Sequence, residues 1–312
     1  MKMRMNEKLQ NKSLTEGFRE FIVHCRVKNL SPRTIDSYEE CFNSFGKFYS
    51  VSNCINKINK EVLDNYIFWL RETTGFNDIS INSRLRSIRV ILYYFMNLNY
   101  MQHFKIRLIK ADKKVYETYT EQELSILIKK PNIKTCSFTE FRDWAICNTL
   151  IGTGIRVGTL IELKIEDIDF ENDLISLKKM KGRKQQIIPM SSHLHKILIE
   201  YVQFRSGEMT DYLFCNQFGG RLTVNAIEHS MRKYHKKRGI NKCGLHRYRH
   251  SFAKLYLENG GNVFKLQKLL SHTTLDIVKE YVEIFTSDLK TNYDNYNPLD
   301  RLIGNKEKIK LR

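Results

Sequence analysis

The sequence predicts a mainly α chain in two domains, with one small antiparallel β-hairpin or sheet inside the second. Three observations predict it. Amphipathic runs of helical period, each opening on a clear N-cap, fill the first hundred residues. The apolar period shortens to that of strands only near 174–177 and 185–189, on either side of the glycine turn "MKGRK". A length of 312 residues exceeds one small core, and the lysine-rich "IKADKKVYE" at 109–117 interrupts the apolar pattern. The expected boundaries are therefore a helical domain over 1–108, a linker over 109–118 and a second domain over 119–312.

"SLTE" is a capping box, with Ser13 as N-cap and Glu16 reaching back, and Phe18, Phe21, Ile22 and Cys25 continue it as one apolar face. Ser31 and Pro32 supply the next N-cap and a proline at the first helical position, followed by Ile35, Tyr38, Phe42, Phe45 and Phe48. A third helix is expected over about 60–73, stopping near Gly75, and a fourth over about 80–98. The fourth sets Leu85, Ile88, Leu92 and Phe95 on one face with Arg84, Arg86 and Arg89 between them. Those arginines read equally as a solvated face or as phosphate contacts. Beyond the linker, Thr120 and Glu123 form a second capping box. "FRDWAICNTLIGTG" then reads as a buried helix ending at glycines, and helices return after Ser191.

Lys and Arg number 52 against 34 Asp and Glu, a formal net charge of +18, which points to a polyanionic partner, nucleic acid before membrane. Both halves are basic: 18 Lys and Arg against 11 Asp and Glu over 1–112, and 34 against 23 in the remainder. No run of 18 apolar residues exists and the basic N-terminus leads into no apolar stretch, so no membrane span or secretory signal is expected and the cytoplasm is the expected location. The seven cysteines are scattered singly, without zinc spacing, and are expected as reduced thiols, several of them buried. No cofactor and no metal are expected.

Four stretches carry chemistry. "GLHRYRHSF" (244–252) crowds His246, Arg247, Arg249 and His250 into little more than one helical turn. In a helix His246, Arg249 and His250 share one side, whereas Arg247 and Tyr248 point elsewhere. An arginine cannot act as a base at neutral pH and serves as an anion clamp, while its charge repels a divalent cation, so phosphate binding is favoured over a metal site. "GTGIRVGTLIEL" (152–163) places Arg156 after a glycine turn at a helix start, where free amides also favour an anion. "MKGRKQQIIP" puts Lys181 at a hairpin turn, with Lys184 three residues on, and "LQKLLSHTTLDIVKEYVEIF" carries His272 and, nine residues later, Tyr281. By periodicity alone Tyr281 belongs equally to a core stripe of Ile277, Val278, Ile284 and Phe285.

In this order and spacing the four stretches resemble the tyrosine recombinases, or phage-type integrases. That family has an arginine after T-G, a lysine on a β-hairpin, an H-x-x-R box, a histidine or tryptophan in an "LLGH"-like segment and a tyrosine about nine residues later. The positions here are Arg156, Lys181, His246, Arg249, His272 and Tyr281. The resemblance implies an N-terminal helical core-binding (SAM-like) domain followed by the tyrosine-recombinase catalytic domain with a C-terminal tail. One departure stands out. The family carries an acid three residues after the first arginine, where this chain has Thr159; Glu162, one turn on, is out of register with it.

The resemblance further implies DNA cleavage and rejoining through a 3′-phosphotyrosine, without metal or ATP, with Tyr281 as nucleophile. Arg156 and Arg249 would hold the nonbridging oxygens and Lys181 would protonate the leaving 5′ oxygen. His246 would exchange a proton with Tyr281 or bind the phosphate, and His272 would donate to a nonbridging oxygen. The implied partner is double-stranded DNA with inverted core half-sites, gripped by a C-shaped clamp and exchanged by a homo-tetramer through a Holliday junction. A type IB topoisomerase shares the chemistry, and a DNA-binding relative weakened in catalysis is the alternative that Thr159 keeps open.

Overall fold

The computed structural model describes residues 11–112, 117–178 and 185–271, and the chain divides into two compact units, Met1–Lys114 and Val115–Arg312. The first is built from α1 (Leu14–Val27), α2 (Pro32–Phe48), α3 (Lys60–Thr74) and α4 (Asp78–Asn97). Local chemistry sets their ends. Ser13 and Glu16 form the reciprocal capping box, Ser31 caps α2 with Pro32 behind it, Asn59 and Asn77 cap α3 and α4, and Gly75 closes α3 in the left-handed conformation.

The core of this unit is largely aromatic. Phe18 stacks on Phe42 with ring centroids 3.7 Å apart, and Phe45 meets Tyr66 edge to face at 4.9 Å. Buried Asn82 on α4 receives the amide of Ile109 and donates to its carbonyl, at 3.0 and 2.9 Å. The chain is thus tied to α4 as far as residue 109, inside the stretch whose composition reads as linker. Of the α4 arginines, Arg84 lies 3.9 Å from the Glu40 carboxylate and over the Phe76 ring, whereas Arg86 is exposed.

The second unit contains α5 (Glu121–Leu127), α6 (Phe138–Thr153), α7 (Val157–Leu160), α8 (Ser192–Arg205), α9 (Val224–Lys237), α10 (Leu245–Glu258) and α11 (Val263–Leu269). It also holds an antiparallel sheet of β1 (Ile168–Asp169), β2 (Leu174–Leu177) and β3 (Gln186–Pro189), in that order. Its register stacks buried Ile168, Ile175 and Ile188 against the helices. β1 has no counterpart in the sequence reading, because two residues are too few for a period to show.

Helix α6 is buried nearly all round and packs against α8, α9 and α10, which is why its sequence shows so little amphipathicity. Burial extends to an ion pair, Arg142 with Asp143, which is satisfied further by the Cys215 carbonyl and the Ser230 hydroxyl. Its partners come from segments more than seventy residues away, and they lock α6 to α9. Among the described residues the cysteines are free thiols, with Cys25, Cys41, Cys147 and Cys215 buried, and no group of metal-ligating side chains occurs. No described helix is long and apolar enough to cross a membrane.

Candidate active site

Of the six motif residues, Arg156, His246 and Arg249 lie within the described structure; Lys181, His272 and Tyr281 lie outside the described residues. The described ends of all four motif segments nevertheless converge, through backbone carbonyls.

Helix α6 ends at Gly154, whose φ of +63° is the left-handed conformation. A Cβ there would stand 2.4 Å from the Phe252 ring and 2.9 Å from Leu270, so a glycine is required both by conformation and by the closeness of α10 and α11. Two residues on, half-buried Arg156 is the N-cap residue of α7. That helix has a single turn, so the dipole expected to favour an anion at Arg156 is small, and the guanidinium itself is the main positive charge there.

Rotation of α10 is set by the residue between the two motif members. Tyr248 is buried and its hydroxyl lies 2.6 Å from His235 Nε2, while His235 Nδ1 is 2.8 Å from the Lys242 carbonyl. A carbonyl only accepts, so Nδ1 carries the proton, Nε2 is the acceptor and Tyr248 donates to it. The Cys147 thiol in turn donates to the Tyr248 oxygen at 3.1 Å. Every hydrogen bond of this buried chain therefore joins one donor to one acceptor, and α10 is pinned to α6 and α9. Burial drives the Tyr248 phenol well above its ordinary range and the Cys147 thiol up to about 12, so both stay protonated. Tyr119 adds a further clasp: its amide donates to Ser251 and its hydroxyl receives the Gly244 amide.

With Tyr248 turned inward, His246 is exposed in the first turn of α10 and Arg249 is buried, 6% exposed, one turn later. Arg249 Nη1 donates to the Gly154 carbonyl at 2.7 Å and Nη2 to the Leu270 carbonyl. One side chain thus bridges the T-G-x-R segment and the residue two before His272. Arg247 turns away, as the helical spacing predicts, and pairs with Glu117. His250 is half-buried.

Thr159, at the position where the family carries an acid, is buried and uncharged. Glu162, the nearest acid along the chain, forms an ion pair with Arg221. Arg221 ends the turn that Asn216 organises by accepting the amides of Phe218 and Gly220. Nothing local in the sequence announces that pairing, because the two residues are 59 positions apart.

The buried imidazole makes stability depend on pH. Burial lowers the His235 pKa below its usual 6.5. As pH falls through 6.5 the unfolded chain takes up a proton that the folded chain refuses, so stability is full above 6.5 and declines from there toward the depressed value. Urea midpoints measured at about pH 7.5 and about pH 5.5 should therefore fall with pH, and the difference should shrink in His235→Asn.

The chain matches the Phage integrase family over residues 117–287 and the Phage integrase SAM-like domain over 13–115. It is 28% identical over 293 residues to tyrosine recombinase XerA of Pyrococcus furiosus, covering 93% of this chain and 97% of that protein. To tyrosine recombinase XerC of Bacillus pumilus it is 27% identical, over 89% of this chain and 95% of that one. In fold it is similar to the Tn1549 transposon integrase solved with circular intermediate DNA, with a TM-score of 0.70 at 20% identity over 86% of this chain and 94% of that one. With the catalytic-domain match alone covering more than half of its length, the chain belongs to the phage integrase family, the tyrosine recombinases.

Proposed function

We propose that this protein is a site-specific DNA recombinase that cuts and reseals DNA through a 3′-phosphotyrosine. The observation that carries the reading is the convergence of the motif segments: Arg249 of the H-x-x-R box holds Gly154, two residues before Arg156, and Leu270, two residues before His272. A fold that draws these segments together makes a phosphate site in which two guanidiniums offset the charge of a pentacoordinate phosphorus.

In the proposed step the Tyr281 oxygen attacks phosphorus as its proton passes to a base, for which His246, exposed at the start of α10, is the candidate. The bond from phosphorus to the 5′ oxygen breaks, and Lys181 supplies the proton that the departing oxygen takes. The phosphotyrosine keeps the bond energy of the phosphodiester, so resealing onto another 5′ hydroxyl runs the same step backwards and consumes no nucleotide. His272 donates to a nonbridging oxygen. The exposed face of α9, with Arg232, Lys233 and Lys236, adds positive charge suited to a DNA backbone. Double-stranded DNA with inverted half-sites is the proposed substrate and a tetramer the proposed working assembly.

The test uses the DNA that flanks the gene. A plasmid carrying two copies of a flanking inverted repeat should yield deletion or inversion products with the purified protein, and a supercoiled plasmid lacking the repeat should stay supercoiled. Relaxation of the second plasmid without exchange in the first would identify a topoisomerase instead.

A further inference from the structure

One side chain to which no motif gives a role stands where two motif segments meet. Gln186 is the first residue of β3 and pairs with Leu177, the last of β2, at the end of the ladder that residues 178–185 connect. Its amide nitrogen donates to the Lys268 carbonyl at 2.6 Å and its amide oxygen accepts from the Ser271 hydroxyl. Ser271 directly precedes His272, and Lys181 lies five residues before Gln186.

The two sides of this joint differ in rigidity. On the α11 side, Leu266 and Leu270 are fully buried against Ala253 and Leu257, and the Leu270 carbonyl is held by Arg249. On the strand side, Leu177 opposite Gln186 is buried, but β3 is the edge of the sheet and Ile187, next to Gln186, is 63% exposed, so this end of β3 adds little packing of its own. A glutamine suits the joint because one amide both donates and accepts, which engages the Lys268 carbonyl and the Ser271 hydroxyl at once.

We propose that Gln186 is a positioning residue for strand cleavage: it ties the end of the β2–β3 ladder to the α11 terminus and thereby sets the approach of Lys181 to the leaving 5′ oxygen. This rests on the reading of Lys181 as the general acid. Loss of the tie should act on proton delivery to the 5′ oxygen and leave the nucleophile and the arginines as they are. Displacement of a catalytic group by about 1 Å costs up to about 100-fold in rate, which sets the scale of the effect.

The experiment compares two nicked duplexes bearing the target site, one with the natural 5′ oxygen at the scissile phosphate and one with sulfur in its place. A thiolate departs without being protonated, so the sulfur substrate does not need the general acid. Single-turnover cleavage by Gln186→Ala in the full chain should be about 10- to 100-fold slower than wild type on oxygen and within about 2-fold of it on sulfur, at unchanged DNA affinity. Gln186→Glu keeps the acceptor for Ser271 but sets a carboxylate against the Lys268 carbonyl, and should show the same split. Equal losses on both substrates, or no loss on oxygen, would overturn the proposal. Lys181→Ala is the control: if sulfur does not rescue it, the general-acid reading fails and takes the Gln186 role with it. Wild type that forms no adduct on either substrate would instead overturn the recombinase reading itself.

Discussion

Tyr281→Phe is expected to abolish covalent strand cleavage, by more than about 10⁴-fold, while binding target DNA as wild type does. The change removes one oxygen, and with it the atom that would form the bond to phosphorus. Among tyrosines of this unit, Tyr119, Tyr201, Tyr234 and Tyr248 are buried and hold their protons because burial raises their pKa values above the ordinary phenol range. Their roles are structural, and their phenylalanine variants should still form the covalent adduct. Gel-shift titration and a denaturing gel on the same samples read binding and covalent capture separately.

The second large effect is expected at Arg249, and it differs in kind from that at Arg156. Arg249→Ala should lower single-turnover cleavage about 10²- to 10³-fold, the usual cost of one transition-state donor. It should also lower stability, because the Gly154 and Leu270 carbonyls lose the donor they share, at about 1–3 kcal/mol for each buried group left unsatisfied. Arg249→Lys should restore little: one ammonium on a flexible stem does not reproduce a planar fork that spans two carbonyls. Arg156 is half-buried at the N-cap position of a single turn, so Arg156→Ala should lose cleavage on the same scale with a smaller fall in urea midpoint than Arg249→Ala. Rates and midpoints measured on both variants distinguish the buried bridging arginine from the half-buried one.

That contrast shows what was legible in the sequence and what was not. Helix starts were legible because their causes are local: Ser13 with Glu16, Ser31 with Pro32, and Thr120 with Glu123 each lie within one turn. That Arg247 and Tyr248 leave the side shared by His246 and Arg249 follows from helical spacing alone. The partners they meet do not. His235 and Cys147 reach Tyr248 from two other helices, and Arg142 with Asp143 is buried because Cys215 and Ser230 complete it from afar.

The site follows the same division. Side chains able to grip a phosphate can be read from residue type and order, since only certain groups carry that chemistry. The second task of Arg249, holding Gly154 and Leu270, is a property of the folded chain, as is the meeting of Gln186 with Lys268 and Ser271. The Glu162 pairing with Arg221 likewise depends on a turn that brings residues 59 positions apart together. Sequence order names the chemical groups, and tertiary contacts assign what holds them.

The central claim is that a tyrosine of this chain, Tyr281, becomes joined to DNA. The most direct measurement incubates the purified protein with a nicked suicide duplex bearing the target site, digests the trapped complex and identifies the peptide that carries the nucleotide. The account predicts a covalent adduct on the peptide containing Tyr281, absent from Tyr281→Phe. An adduct on another residue, an adduct that survives in Tyr281→Phe, or no adduct on a duplex that the protein binds would contradict it.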